Sequence, residues 1–436
     1  MRAKVWLAGW FLGMVASLLV SSQCFAAGFA LWEGSARANA LGDAVVGRAD
    51  DPSAIMYDPA GITQLPGLQV ESGATGIRTA GTISVPANAT LQGTGGVLPL
   101  SNAAESQNVI NEWALVPNMY ATYQASDRIW LGLGIFSPFG LSVAFPSNWF
   151  GAYNSFYSEV QSVDVNPNIA FKINDQLSVA AGLDAMEFGL DLQNRLPEVV
   201  GGALLPIGLS PISQIKGDTW GYGYNLAVHY KPCKWMAMGI SYRSQITEGG
   251  DMNDYIHLAS GAQAAYTVAH SSTTLPDSLD MGVVFYPADA WSWEIGGMWT
   301  RWSNFQSMQF ALNAPIYGPA NNPLTVQKNW NDTWRLQTGV EYHLTPHVDL
   351  RAGYIYDEEA IPNDFADYVL PSNNRNYFSF GTGIHYGNVA LDLSYTYIMI
   401  ESRDVTNSGS LGYLNPTHQG GENASMIAGD ITYRFW

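Results

Sequence analysis

A strict two-residue alternation, repeated along the whole chain, is the feature that most limits what this sequence can fold into. In VALDLSYTY, residues 389–397, Val389, Leu391, Leu393, Tyr395 and Tyr397 fall on one side, and Ala390, Asp392, Ser394 and Thr396 on the other. Successive side chains of a strand point to opposite faces, so such a segment has an oily face and a polar one. The same pattern runs through residues 220–230, 235–243, 334–343 and 348–357. It predicts an all-β protein.

Alternation alone also fits a soluble sandwich, so the connections decide. Short turn signals occur at 124–127, 173–175, 231–234, 287–290, 344–347 and 387–388. Longer irregular stretches lie near 81–108, 143–156, 191–216, 247–270, 303–328, 359–373 and 404–422. Six short and seven long connections imply fourteen strands. An even count, with tight turns on one side and long loops on the other, is the plan of an outer-membrane barrel. Closure is required because lipid cannot satisfy a bare strand edge. The prediction is a 14-stranded antiparallel transmembrane β-barrel. Its C-terminal strand ends IAGDITYRFW, with Ile431, Tyr433 and Phe435 outward.

Composition supports this reading. Charged residues make up 13% of the chain, where about 25% is usual for soluble domains. Aromatics are also 13%, and there are 44 glycines. The net charge of −18 excludes nucleic acid and a polybasic lipid-binding surface as the basis of function. Past residue 26 no apolar run reaches the ~18 residues of a helical span. Arg2 and Lys4, the run VWLAGWFLGMVASLLV and the small residues ending at Ala26 predict a cleaved secretory signal peptide over 1–26. Export then leaves one cysteine, Cys233, so no internal disulfide forms.

Residues 27–64 precede the first strand, expected near Leu65. They carry Phe29, Leu31, Trp32, Val45, Val46, Ile55 and Met56, too apolar for a disordered tail. A barrel of about fourteen strands encloses a lumen that side chains alone cannot fill. The segment is therefore expected as a plug, or hatch, inside the lumen, with 65–436 forming the barrel. In the third strand, IWLGLGIFSPFGLSV, Pro138 cannot complete a ladder and Gly140 permits a bend, which predicts a break in the wall.

AGFAL near the start, ADDPSAIMYDPAGITQLPG before the first strand, and LGLGIFSPFGLSVAFPSNWFGAY in the third resemble the FadL-type outer-membrane family of long-chain fatty-acid and hydrocarbon transporters. LPDSLDMGVVFYPADAWSWEIGGMWTRWSNF and LRAGYIYDEEAIPND resemble its later strands. The resemblance implies passive, ligand-gated uptake of hydrophobic small molecules with lateral exit into the membrane, through an opening at Pro138 and Gly140. It implies that Phe29 floors the pocket, and that Asp58, Pro59 and Ala60 occupy the place of the family's Asn-Pro-Ala plug triplet. An Asp caps backbone amides but, when ionised, cannot donate as Asn does. The expected partners are fatty acids or hydrocarbons, outer-membrane lipid and the barrel assembly machinery, with the barrel a monomer.

Further candidates for ligand contact are Leu204, Leu205 and Ile207, in an apolar outer loop, and Arg195, Arg335 and Arg351, any of which could meet a carboxylate. Inward arginines also pair with inward acids such as Asp349 or Glu341. The histidines show no metal spacing, no cofactor motif occurs, and no enzyme is expected. The rival reading is a surface adhesin or structural barrel that binds through its extracellular loops.

Overall fold

The structure is a computed structural model, and it describes residues 28–78, 80–87, 89–92, 98–99, 104–110, 113–200, 203–318, 321–407 and 412–435. The expected signal peptide lies outside the described residues. Fourteen strands form one antiparallel ring. They are β1 (Leu68–Arg78), β2 (Trp113–Gln124), β3 (Ile129–Phe136 with Gly140–Ala144), β4 (Tyr157–Lys172) and β5 (Leu177–Arg195). There follow β6 (Ile212–Cys233), β7 (Met236–Arg243 with Ile246–His257), β8 (Gln263–Leu275 with Ser278–Ala288) and β9 (Trp291–Thr300 with Ser307–Leu312). The ring continues through β10 (Leu324–Gln327 with Thr333–Thr345), β11 (Val348–Asp357), β12 (Arg375–Tyr386), β13 (Val389–Ile400) and β14 (Glu422–Arg434). Each strand pairs with the next, and β1 closes on β14 from Gln69–Arg434 to Arg78–Ser425. No strand edge is left for lipid to satisfy.

The alternation read from sequence is the alternation of the wall. Leu393, Tyr395, Tyr397, Ile431 and Tyr433 are exposed on the outside, while Asp392, Ser394, Thr396, Asp430 and Thr432 are buried inside. All six tight turns fall where expected. Five of the seven long connections differ from expectation in carrying paired strands. β5 and β6 stay paired up to Arg195–Ile212, Thr82–Val85 pairs with Glu105–Asn108, and Arg403–Val405 with Thr417–Gln419. Residues 246–257 and 263–275 continue as paired strands around a short tip, and 307–312 pairs with 324–327. Beyond the bilayer a strand no longer needs an oily face, so the ladder persists where the hydropathy pattern fades.

The first strand begins at Leu68 rather than near Leu65, because Pro59–Gln64 form a 3-10 helix. Two short helices precede it: α1 (Ala36–Ala40) and α2 (Ala54–Tyr57). Ser35 caps α1, its hydroxyl accepting from Ala38 N at 3.1 Å. Asp58 caps the 3-10 helix, and Pro59 supplies the preset φ of a first helical position.

Residues 28–65 are buried almost throughout and meet inward-facing residues around the ring. Asn39 Nδ2 donates to Thr75 in β1, Trp130 Nε1 in β3 donates to Leu65 O, and Thr63 meets Ser178 in β5. His229 in β6 contacts Gly47 O, and Ala36 N donates to Asp430 in β14. Inward glycines let the backbones touch. A Cβ at Gly239 would lie 2.3 Å from Val46 O, at Gly282 2.8 Å from Gly47 N, and at Gly339 2.2 Å from Leu41 O. Such positions exclude any side chain.

Candidate functional site

The third strand breaks where proline predicts. Phe136 faces Asp164, and the next ladder pair is Gly140 with Gln161. Three residues of β3 thus oppose two of β4, a bulge. Ser162 Oγ patches it, accepting from Phe139 N at 2.9 Å and donating to Phe139 O at 2.7 Å. On the other side, among the described residues, the β2–β3 ladder stops at Met119–Ile135. From there β3 leaves β2 and keeps only β4 as its neighbour in the wall.

The bend turns toward the start of the chain. Leu31 N donates to Pro138 O at 2.8 Å, and Gly140 N donates to Phe29 O at 3.0 Å. Ala30 forms an antiparallel bridge with Phe139. Residues 29–31 therefore act as a short extra strand against the kink and use backbone groups that the bulge would otherwise orphan.

Phe29 projects into an aromatic box. Its ring centroid lies 5.0 Å from Trp302, 5.6 Å from Phe305, 5.7 Å from Trp330 and 5.8 Å from Phe139. The contacts with all four rings are edge-on, the favoured arrangement of aromatic quadrupoles. Trp302 and Trp330 are themselves 4.9 Å apart. The indole nitrogens of Trp32, Trp302 and Trp330 are buried with no hydrogen-bond partner among the described residues. Behind the kink, Trp32, Pro138, Phe139, Asp164 and Arg243 line a cavity of about 10 Å³, about the space of one water. The box is filled by Phe29 and the kink is shut.

The Asp58-Pro59-Ala60 triplet is fully buried. Asp58 Oδ1 accepts from Ala60 N at 3.0 Å, while Oδ2 has no partner among the described residues and faces Gly239 of β7. Bracing of the kink itself falls to Phe29–Leu31. The following residues support β3 lower down, where Ile55 and Ile62 pack on Gly132.

Arg335 and Arg351 point inward into ion pairs. Arg335 meets Asp43 at 2.6 Å. Arg351 meets Glu341 at 2.6 Å and Asp349 at 3.2 Å, and also Asp392. Glu341 is the centre of a larger network, since Arg37 and Arg48 each reach it at 3.2 Å. Arg48 also pairs with Glu294 at 3.1 Å, with both side chains fully enclosed. Charged groups so placed hold the N-terminal segment to the wall, because a buried charge that loses its partner is strongly disfavoured.

The remaining candidates lie in the outer loops. Arg195 is buried and donates to Ser147 O at 2.9 Å and Ser210 O at 2.6 Å. Leu205 and Ile207 are half-buried, and Ile207 packs on the core; the side chain of Leu204 lies outside the described residues. Beside them Phe145 stacks on Trp149 at 3.9 Å, Trp149 meets Tyr368 at 5.0 Å, and Tyr368 stacks on Tyr413 at 4.4 Å. Lys328 and Asp367 form a buried pair at 2.6 Å. Four outer loops are thus clasped over the mouth. Sequence reasoning missed Trp302, Phe305 and Trp330; the signal for the first two was the aromatic density of WTRWSNF, residues 299–305, where it runs past Thr300, the end of the first segment of β9.

A closed wall that is greasy outside, polar inside and bent at one strand defines an outer-membrane β-barrel transport protein. The chain belongs to the family described as "Outer membrane protein transport protein (OMPP1/FadL/TodX)", which matches residues 17–435. It is 25% identical over 417 residues to the long-chain fatty acid transport protein of Escherichia coli O6:H1, covering 88% of this chain and 89% of that one. It is 22% identical to outer membrane protein P1 of Haemophilus influenzae, covering 88% of each. Among solved structures, a Pseudomonas aeruginosa FadL homologue superposes with a TM-score of 0.79 at 18% identity, over 94% of this chain and 100% of that one. The Pseudomonas putida toluene transporter TodX gives 0.63 at 16% identity, over 88% and 94%. These structural likenesses establish the fold.

Proposed function

We propose that the protein takes up long-chain fatty acids or comparable hydrophobic compounds across the outer membrane without an energy source, and releases them sideways through the kink of β3. Residues 1–26 are removed on export, residues 27–64 serve as the plug, and 65–436 form the barrel. The outer loops, with Arg195, Leu205 and Ile207, receive the compound. It then competes with Phe29 for the aromatic box among Trp302, Phe305 and Trp330. Displacing Phe29 pulls on residues 29–31, which occupy the edge of β3 beside the bulge. Their departure frees the gap between β2 and β3 toward the bilayer. A ligand drives this only so far as it binds the open form more tightly than the closed one.

The observation that carries this reading is the shared segment: Phe29 fills the box while its own carbonyl accepts from Gly140. Displacing Phe29 from the box and opening the wall are, on this reading, mechanically one event. The test is an Ala30→Cys/Phe139→Cys pair in a Cys233→Ser background. Oxidation should lower uptake of a labelled long-chain fatty acid by about tenfold, a change of about 1.4 kcal/mol in the opening equilibrium, and reductant should restore it. Full cross-linking with undiminished uptake overturns the reading.

A further inference from the structure

The outside of the barrel carries a trough that transport does not use. It lies across β4, β5, β6 and β7, has a volume of about 620 Å³, and is lined by apolar side chains that include Ile240 and Tyr242 of β7. Its floor is β5, where Val179 and Ala181 face lipid. In register, Ala181 sits between Ile169 of β4 and Leu226 of β6, and Val179 between Phe171 and Val228. Ala181, small between Ile169 and Leu226, makes the lowest point of a groove that runs along the strand direction past Val179. Phe171 is two residues from the turn at 173–176, and strands rise about 3.3 Å per residue. The trough therefore opens in the half of the wall nearest the tight turns, at the level of the periplasmic leaflet.

The rim below it is basic, in a chain whose acids outnumber its bases 37 to 19. Lys172, Lys231 and Lys234 stand at the two turns under the trough and Arg128 at the next turn along, between β2 and β3, with Asp127 and Asp175 beside them. The turns at 287–290, 344–347 and 387–388 contain no Lys or Arg. The basic turns are stitched into one surface. Lys172 N donates to Arg128 O at 2.9 Å, Lys231 N donates to Gln176 O at 2.7 Å, and Gln176 Nε2 donates to Pro232 O at 3.0 Å. Lys172 already meets Asp175 at 3.0 Å, and Lys231 turns inward to Gln64 at 3.4 Å. Arg128 and Lys234 are exposed and make no side-chain contact with an acid among the described residues.

We infer that the trough is a binding site for one anionic glycerophospholipid of the periplasmic leaflet. One acyl chain lies over Val179 and Ala181, and the phosphate is held between Arg128 and Lys234, with Lys172 lying between them in the strand order. The apolar groove fixes the tail and the basic arc selects the headgroup by charge. A zwitterionic phospholipid offers the same tail but brings its own cation to the rim, so it gains less.

The test is native mass spectrometry of the intact protein released from bilayers of equimolar phosphatidylglycerol and phosphatidylethanolamine. The wild-type protein is expected to retain one phosphatidylglycerol with about fivefold preference, the scale of one exposed charge contact. Ala181→Phe fills the floor at a lipid-exposed position and should abolish retention of either lipid. Arg128→Glu with Lys234→Glu leaves the floor intact and should remove the preference only. Equal retention of the two lipids by the wild-type protein overturns the inference, as does undiminished phosphatidylglycerol retention by either variant. Retention of lipopolysaccharide in place of phospholipid overturns it too.

Discussion

Gly140 donates its amide to the carbonyl of Phe29 across 3.0 Å, so the bend of the third strand is completed by the beginning of the chain. A Cβ at Gly140 would sit 2.5 Å from Leu31 Cδ1, so any side chain there must push the leucine tip aside.

Gly140→Phe should therefore block the gap at the bend while leaving the ring closed. Overpacking of this kind costs about 1–3 kcal/mol locally. The expected result is a folded, heat-modifiable barrel with uptake of labelled fatty acid reduced by about tenfold. Unchanged uptake would count heavily against sideways exit at residues 136–141.

Arg48→Met should loosen the N-terminal segment without harming the wall. Arg48 neutralises Glu294 and shares Glu341 with Arg37 and Arg351. Removing it leaves Glu294 enclosed and short of a cation, a loss of about 3–5 kcal/mol. Single-channel recording in planar bilayers should show larger and more frequent currents than the wild-type protein. Replacing Arg48 and Glu294 together, as Met and Gln, should recover part of the closure.

Asp58→Asn should tighten the same segment. The unpartnered Oδ2 faces the point where Gly239 would carry a Cβ, 2.4 Å from it, and Val46 O lies 2.3 Å from that point. An amide there can donate where a carboxylate cannot. The gain expected is about 1 kcal/mol, seen as slower hydrogen exchange of residues 54–64.

Asp254 should make the outer rim pH-sensitive. The bilayer is spanned by about 9–11 residues of a strand, so Asp254 lies beyond it, near the tip of the β7–β8 hairpin. Burial pushes its carboxyl up to about 6, partly offset by the hydrogen bond from Tyr317 at 2.7 Å. The ordinary value is about 3.9. A raised acid favours the docked form when protonated, so its contribution is complete below about pH 4 and is lost as the pH rises through about 6. Proteolysis at residues 258–262 should accelerate over that interval, and Asp254→Asn should flatten the profile.

The wall was legible because lipid imposes a strict rule on it. Leu393 and Tyr395 must face out and Asp392 and Ser394 in, and the sequence shows this directly. Residues 247–270 were read as loop, since Glu248 and Asp254 turn to the interior on a strand with no oily side to keep. The bend at Pro138 was legible from proline chemistry alone. Its partner, Phe29, required the resemblance, because no local pattern joins residues about a hundred positions apart. The pairing of Arg351 with Glu341 and Asp349 was legible, because these residues are neighbours on one hairpin. Distance hid the partner of Arg335, since Asp43 meets it only once the N-terminal segment lies against β10. Trp302 and Trp330 were missed because neither lies on a strand face.

The N-terminal segment is made first but cannot settle first. Its berth is built from β1, β3, β5, β6, β9, β10 and β14, and the last of these is joined to β1 only by residues at the far end of the chain. Until that seam is sewn there is no interior to occupy. The segment must wait, with its Trp and Phe side chains unhoused, for the ring to be closed around it.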